Sequence, residues 1–116
     1  METRRWLLET HGPVCAYCAR RVSPSGITLD HVTPRRGQRA FDRRDNLVLA
    51  CTPCNARKAD TSIMAFLLGQ RQRAVNMVRF GSHLSPMLRQ MAEQIAGPEE
   101  VARALRLADP DYPYAD

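Results

Sequence analysis

The sequence predicts an α+β chain: a strand–loop–strand–helix unit in residues 1–60, extended by α-helices over residues 61–116. Three observations predict it. Two short β-branched or apolar segments, Ile27–Val32 and Asn46–Ala50, read as strands, and both lie within a frame set by two Cys-x-x-Cys pairs. Beyond residue 61 the apolar residues recur at helical spacing. A length of 116 residues fits one domain with a small appendage.

The elements follow in order. Thr3 to His11 reads as a short helix offering Trp6 and Leu7 to a core, ended by Gly12-Pro13, with Met1 as the initiator. The first cysteine pair, Cys15-Ala-Tyr-Cys18, is followed by turn material at Ser23-Pro-Ser-Gly26 and then by the first strand. Thr33 to Arg44 holds five arginines with Pro34 and Gly37 and reads as an exposed loop. After the second strand come Cys51-Thr-Pro-Cys54 and a helix carrying Asn55-Ala-Arg-Lys58.

The second half is largely helical. Ile63–Phe80 is expected to break near Gly69, and Ser85-Pro86 supplies an N-cap and first turn. Leu84, Leu88, Met91 and Ile95 then mark one apolar face, while Met64, Met77, Met87 and Met91 read as core filler. Gly97 stops that helix and Pro98 starts another through about Leu107. The tail DPDYPYAD is expected to be frayed or docked as an extended segment. His83 falls in an interhelical loop and reads as a surface residue, and His11 as a helix end. These helices would widen a core that the first half is too small to build alone.

Composition excludes several classes. Hydrophobic residues make up 44% and charged residues 25%, which argues against a disordered chain or a fibre. No uncharged apolar stretch reaches the length of a membrane span, and the N-terminus lacks a secretory pattern. No membrane partner is expected. The expected setting is cytoplasmic, in a bacterial or phage-encoded context, where paired cysteines bind metal more often than they form disulfides. The net charge is +5, and residues 1–58 carry 11 basic and 5 acidic side chains while residues 59–116 carry 6 and 7. The positive field thus belongs to the first half, where a polyanionic partner is expected.

The four cysteines are two pairs, Cys15/Cys18 and Cys51/Cys54, with 32 residues between the pairs. Two such knuckles complete a tetrahedral tetrathiolate site of the kind structural zinc prefers, with no position left open for substrate. The zinc therefore reads as a staple that supplies folding free energy. A redox Cys-x-x-Cys would explain one pair but not two.

Between and just beyond the knuckles lie Asp30-His31 at a strand end, Asn46 opening the second strand, Asn55 directly after the last cysteine, and Lys58 one helical turn on. Asp30 and Asn55 offer oxygen ligands suited to a hard cation. His31 can accept a proton near neutral pH. Neighbours on a strand point to opposite faces, so Asp30 and His31 meet one substrate only if the strand bends or the substrate wraps its edge. Singly, each residue has an ordinary reading: Asp-His as a surface or hydrogen-bonded pair, Asn46 and Asn55 as caps, Lys58 as a solvated helix residue. Together, in this order, they support one another.

The run CAYC…LDHVTPRRG…DNLVLACTPCNARK, within residues 3–60, resembles the HNH endonuclease family in its four-cysteine zinc-bearing branch. The resemblance implies a ββα-metal (HNH, His-Me finger) unit: two antiparallel strands and a helix around one catalytic divalent ion. It implies that His31 is the general base, that Asp30 and Asn55 are ligands of the catalytic metal, and that Asn46 holds the loop and orients His31 through a backbone contact. Cys15, Cys18, Cys51 and Cys54 match the structural zinc ligands, and Lys58 a common basic position after the motif. The last motif residue is Asn rather than His, a ligand set that favours Mg²⁺ or Mn²⁺ over Zn²⁺ or Ni²⁺. The expected domains are a nuclease core at 1–60 and a helical extension at 61–116 packed on it.

The expected activity is metal-dependent hydrolysis of DNA phosphodiester bonds, by nicking or double-strand cleavage, with His31 taking a proton from the attacking water. Phosphate contacts are expected from Arg20, Arg21, Arg35, Arg36, Arg39, Arg43, Arg44 and Arg57, about half of them engaged at once. The rival reading is a non-catalytic zinc-stapled module that binds nucleic acid, which has no use for Asp30, His31 and Asn55 together. A third is a protein-interaction domain working through the C-terminal helices. Those helices offer a surface for DNA, for a homodimer or for a larger assembly.

Overall fold

A computed structural model describes residues 2–109. Met1 and the tail from Pro110 to Asp116 lie outside the described residues, so the readings of the initiator and of most of DPDYPYAD are not addressed. The elements are α1 (Glu2–His11), β1 (Ile27–His31), β2 (Leu47–Cys51), α2 (Thr52–Lys58), α3 (Ile63–Gly69), α4 (Arg71–Phe80), α5 (Pro86–Ala96) and α6 (Pro98–Ala108). This is the α+β arrangement that the sequence predicts, with short 3₁₀ turns at Pro24–Gly26, Arg39–Phe41 and Arg44–Asn46.

β1 and β2 pair antiparallel in a two-stranded sheet, with Ile27 opposite Cys51, Leu29 opposite Leu49 and His31 opposite Leu47. Every residue of β2 is buried, so it is the inner strand of the unit. A two-stranded sheet is marginal alone; here α1 and α2 pack on it. Asn46 ends a 3₁₀ turn instead of opening β2, because its carbonyl accepts from Val32 while its side chain serves the loop.

The second half gains its boundaries from local chemistry. The Ser62 hydroxyl accepts from Ala65 N–H at the start of α3, and the Ser85 hydroxyl from Leu88 N–H at the start of α5. Gln70 is extended and separates α3 from α4, and Arg71 caps the C-terminal carbonyls of α5 at Ile95 and Ala96. Gly97, at φ +91°, turns α5 directly into α6, a conformation that a side chain would strain. α4 is the central helix and packs on α3, α5 and α6.

One apolar core runs through both halves, from Leu7, Tyr17 and Val48 to Leu67, Met77, Leu88 and Ala104. Two expectations require correction. Met64 and Met87 are 50% and 69% exposed, not core filler. α3 buries Ile63, Phe66 and Leu67, and α5 buries Leu88, Ala92 and Ala96, so these methionines fall on the outer helix surfaces. Met77 is buried and Met91 half-buried. His83 is not a surface residue either: it is half-buried, edge-on to Trp6, and bonds the carbonyl of Leu47 at 2.7 Å. His11 does end α1, with its ring edge-on to Phe80.

Candidate active site and its zinc-type cluster

The four cysteines converge. Their sulfurs all lie within 4.8 Å of one another, and Cys18 Sγ and Cys51 Sγ are 3.8 Å apart. A tetrahedral ion with Zn–S bonds of about 2.3 Å sets sulfur–sulfur edges of about 3.8 Å, so the cluster has the dimensions of a zinc site. The first knuckle is shaped by Ala19 at φ +64°, whose N–H reaches the carbonyl of Cys15, and by the Tyr17 N–H directed at Cys15 Sγ. Cys51 leads into α2, whose first turn carries Cys54. Burial, then the neighbouring sulfurs led by Cys15, push the Cys54 thiol up. A bound dication reverses that preference and holds the four as thiolates.

One face of β1 carries Thr28 and Asp30, alternate residues of the strand, and turns them to Asn55 and Lys58 of α2. Asp30 is 7% exposed. Its Oδ2 accepts from the Tyr17 hydroxyl at 2.6 Å and lies 3.4 Å from Lys58 Nζ. Burial, and then the charge of Asp30, hold the Tyr17 phenol well above its ordinary pKa, so it stays a donor. Lys58 is 1% exposed, which overturns its ordinary reading as a solvated helix residue, and it also donates to the carbonyl of His31 at 2.8 Å. Asn55, one turn earlier on α2, donates through Nδ2 to Thr28 Oγ1 at 3.2 Å. Among the described residues, Asp30 Oδ1 and Asn55 Oδ1 take no hydrogen bond. One carboxylate oxygen and one amide oxygen on adjacent elements suit a hard cation that keeps most of its waters.

His31 belongs to the opposite face. Its Nε2 is 2.8 Å from Asp42 Oδ1, and the same oxygen accepts from Arg35 Nε at 3.0 Å. The strand thus does not bring Asp30 and His31 onto one side; both stand at its C-terminal end. Asn46, buried, clasps the intervening loop: its Oδ1 accepts from Thr33 N–H, and its Nδ2 donates to the carbonyls of Thr33 and Phe41.

The arginines are not equivalent. Arg35 pairs with Asp42, Arg43 pairs with Asp45, and Arg44 stacks over Trp6. Arg20, Arg21, Arg36, Arg39 and Arg57 are exposed and make no ion pair among the described residues.

Over residues 15–61 the sequence matches the family described as HNH endonuclease. This stretch is similar to HNH endonucleases. The family resemblance read from the sequence is borne out over these residues. Two curated relatives are CRISPR-associated endonuclease Cas9 proteins. The one from Corynebacterium diphtheriae is 43% identical over 47 residues, covering 40% of this chain and 4% of the relative. The one from Actinomyces naeslundii is 39% identical over 54 residues, covering 47% of this chain and 5% of the relative. The chain therefore spans only a small part of the curated relatives that it matches. No solved structure matches it.

Three partners in the HNH region are not singled out by the sequence. Tyr17 reads there as a spacer between knuckle cysteines, although a large polar ring at such a position must find a buried partner. Asp42 is hidden among arginines, although it is the sole acid between Thr33 and Arg44. Thr28, which receives Asn55, carries no signal beyond its β-branched shape.

Proposed function

We propose that the HNH region is a metal-dependent endonuclease acting on DNA, with His31 as general base and Asp30 and Asn55 as ligands of a catalytic Mg²⁺ or Mn²⁺. One observation carries the reading: Lys58 ties Asp30 and the backbone of His31 together at the end of β1, one helical turn from Asn55, inside the family-matched segment.

The residues act as follows. With Nε2–H donating to Asp42, His31 carries its lone pair on Nδ1, free to take a proton from water. Tyr17 and Lys58 hold Oδ2 of Asp30, so Oδ1 is left toward the ion. When bound, that ion stabilises charge on the phosphate and on the leaving oxygen. Lys58 fixes the His31 carbonyl and thereby the setting of the imidazole. Arg36 and Arg39 on the loop, together with Arg20, Arg21 and Arg57, supply phosphate contacts that carry little sequence information. A cytoplasmic setting accords with this reading; no described helix is long and apolar enough to cross a membrane.

The test is supercoiled plasmid with Mg²⁺ or Mn²⁺. Conversion to open-circle or linear DNA is expected, abolished by EDTA, and reduced about 10²–10⁴-fold in His31→Ala with the fold and DNA binding retained. Full activity in that variant would overturn the assignment. Salt-sensitive binding without any cleavage would favour the non-catalytic zinc module.

A further inference from the structure

We infer that a cleft between the first zinc knuckle, α2 and α4 binds a backbone phosphate of the nucleic acid, away from the bond that is cut. The inference rests on the nuclease reading and extends it to residues 61–116. The cleft holds about 190 Å³ and is lined by Arg20, Arg57 and Arg73 together with Gln70, Gln72, Cys18 and Cys54. No carboxylate lines it. Three guanidinium groups in one concavity without an acid repel each other and call for an anion.

The arginines are presented, not consumed. Arg20 and Arg57 make no ion pair among the described residues. Arg73 is held by a hydrogen bond from one terminal nitrogen to the Phe66 carbonyl at 2.8 Å and by stacking 3.9 Å over the Phe66 ring. That leaves most of its planar fork of donors, the geometry that suits phosphate. α4 begins with Arg71, Gln72 and Arg73 and has no acid in its first turn. Cations at a helix N-terminus oppose its dipole, and an anion in the cleft relieves both conflicts.

The arginines could instead balance the negative charge of four metal-bound thiolates. In that case guanidinium N–H groups would point at sulfur, yet among the described residues none donates to a cysteine. The cleft is linked to Asp30 through one shared residue. Tyr17 forms part of its wall while its hydroxyl reaches Asp30, and Asn76 of α4 donates to the Tyr17 carbonyl. A strand whose linkage sits at Asp30 can thus lay another of its phosphates in the cleft.

The experiment measures duplex DNA affinity by anisotropy against salt, in the His31→Ala background so that no cleavage intervenes. Arg73→Gln should reduce the magnitude of the log–log salt slope by about 0.9, the loss of one phosphate contact, with zinc content unchanged. Arg73→Lys should restore the slope but only part of the affinity. If Arg73→Gln folds poorly, the exposed pair Arg20→Gln and Arg57→Gln tests the other two contacts without touching the Phe66 contact, with an expected loss of about 1.8 in slope. An unchanged slope overturns the inference. So does an unchanged slope with zinc lost more readily to a chelator, which would assign the arginines to the thiolates. If the parent protein neither binds nor cuts DNA, the nuclease reading falls, and this one with it; if it cuts but the slope is insensitive to Arg73, this one falls alone.

Discussion

At the C-terminal end of β1 the two faces, carrying Asp30 and His31, meet the molecule in opposite ways. Inward, Asp30 is 7% exposed and is gripped by Tyr17 and Lys58, themselves almost wholly buried. Outward, the His31 and Asp42 side chains are 31% and 37% exposed, and their partner Arg35 is more exposed still. One face is set by packing and by the zinc-type knuckle; the other is set by an exposed loop. In the proposed reaction the first fixes an ion and the second moves a proton. Pre-set geometry helps the one, and access to water and substrate helps the other.

The largest effect is expected where the inner face is anchored. Cys51→Ser removes one of four ligands, and the binding free energy of structural zinc is folding free energy. Loss of zinc and of cooperative melting is expected, with cleavage lost as well because the knuckle that carries Tyr17 loosens. Calorimetry with metal analysis checks it. An unchanged transition in zinc-free protein would mean that packing alone sets the inner face, and the contrast would vanish.

Next is the ion pair itself. Lys58→Met keeps the volume but leaves Asp30 buried beside Tyr17 alone and the His31 carbonyl without its donor. Removing one partner of such a pair costs about 3–5 kcal/mol. Denaturant unfolding of Lys58→Met, Asp30→Asn and the double variant reads it. The double should be more stable than Lys58→Met; if the two effects simply add, the charges do not interact and the inner face is held by packing only.

Much of this architecture is legible in the amino-acid sequence. Gly and Pro punctuation marks the boundaries of α1, α5 and α6, because those residues act through their own backbone. The cysteine spacing announces the cluster, because metal geometry restricts sequence. The helical faces are ambiguous at Met64 and Met87, since an apolar residue one step from a buried one looks the same in sequence whichever way the helix turns. Lys58, Tyr17 and Asp42 show the deeper limit. Each draws its meaning from a partner between 11 and 28 residues away, and side-chain pairs at that range leave no local pattern.

On the outer face, Asp42→Asn removes the carboxylate from His31 while preserving shape. An exposed pair of this kind contributes about 0–1 kcal/mol, so the melting temperature should hardly move. Cleavage should fall, though by less than in His31→Ala, because an amide can present either its N–H or its oxygen to Nε2 and so no longer fixes the tautomer. An unaltered rate would mean that the loop does not orient the base.

The smallest effect lies behind that face. His83 holds the carbonyl of Leu47, the β2 residue opposite His31. Burial lowers its pKa, and the nearby Arg44 adds to this while the Leu47 carbonyl and Asp45 oppose it. His11, against Phe80, is lowered in the same way, by burial and then by His83 and Arg79. Both rings remain neutral in the fold at a pH where the unfolded chain, with its ordinary histidine pKa of 6.5, already takes up protons. The unfolded state then binds more protons, so stability is full above about pH 6.5 and declines as pH falls below it. His83→Gln keeps an N–H for Leu47 and removes one proton from that linkage. Its stability should therefore lose less than the parent's over the same acid interval. An identical decline in the two proteins would show that His83 does not carry the acid sensitivity and that the linkage lies away from this face.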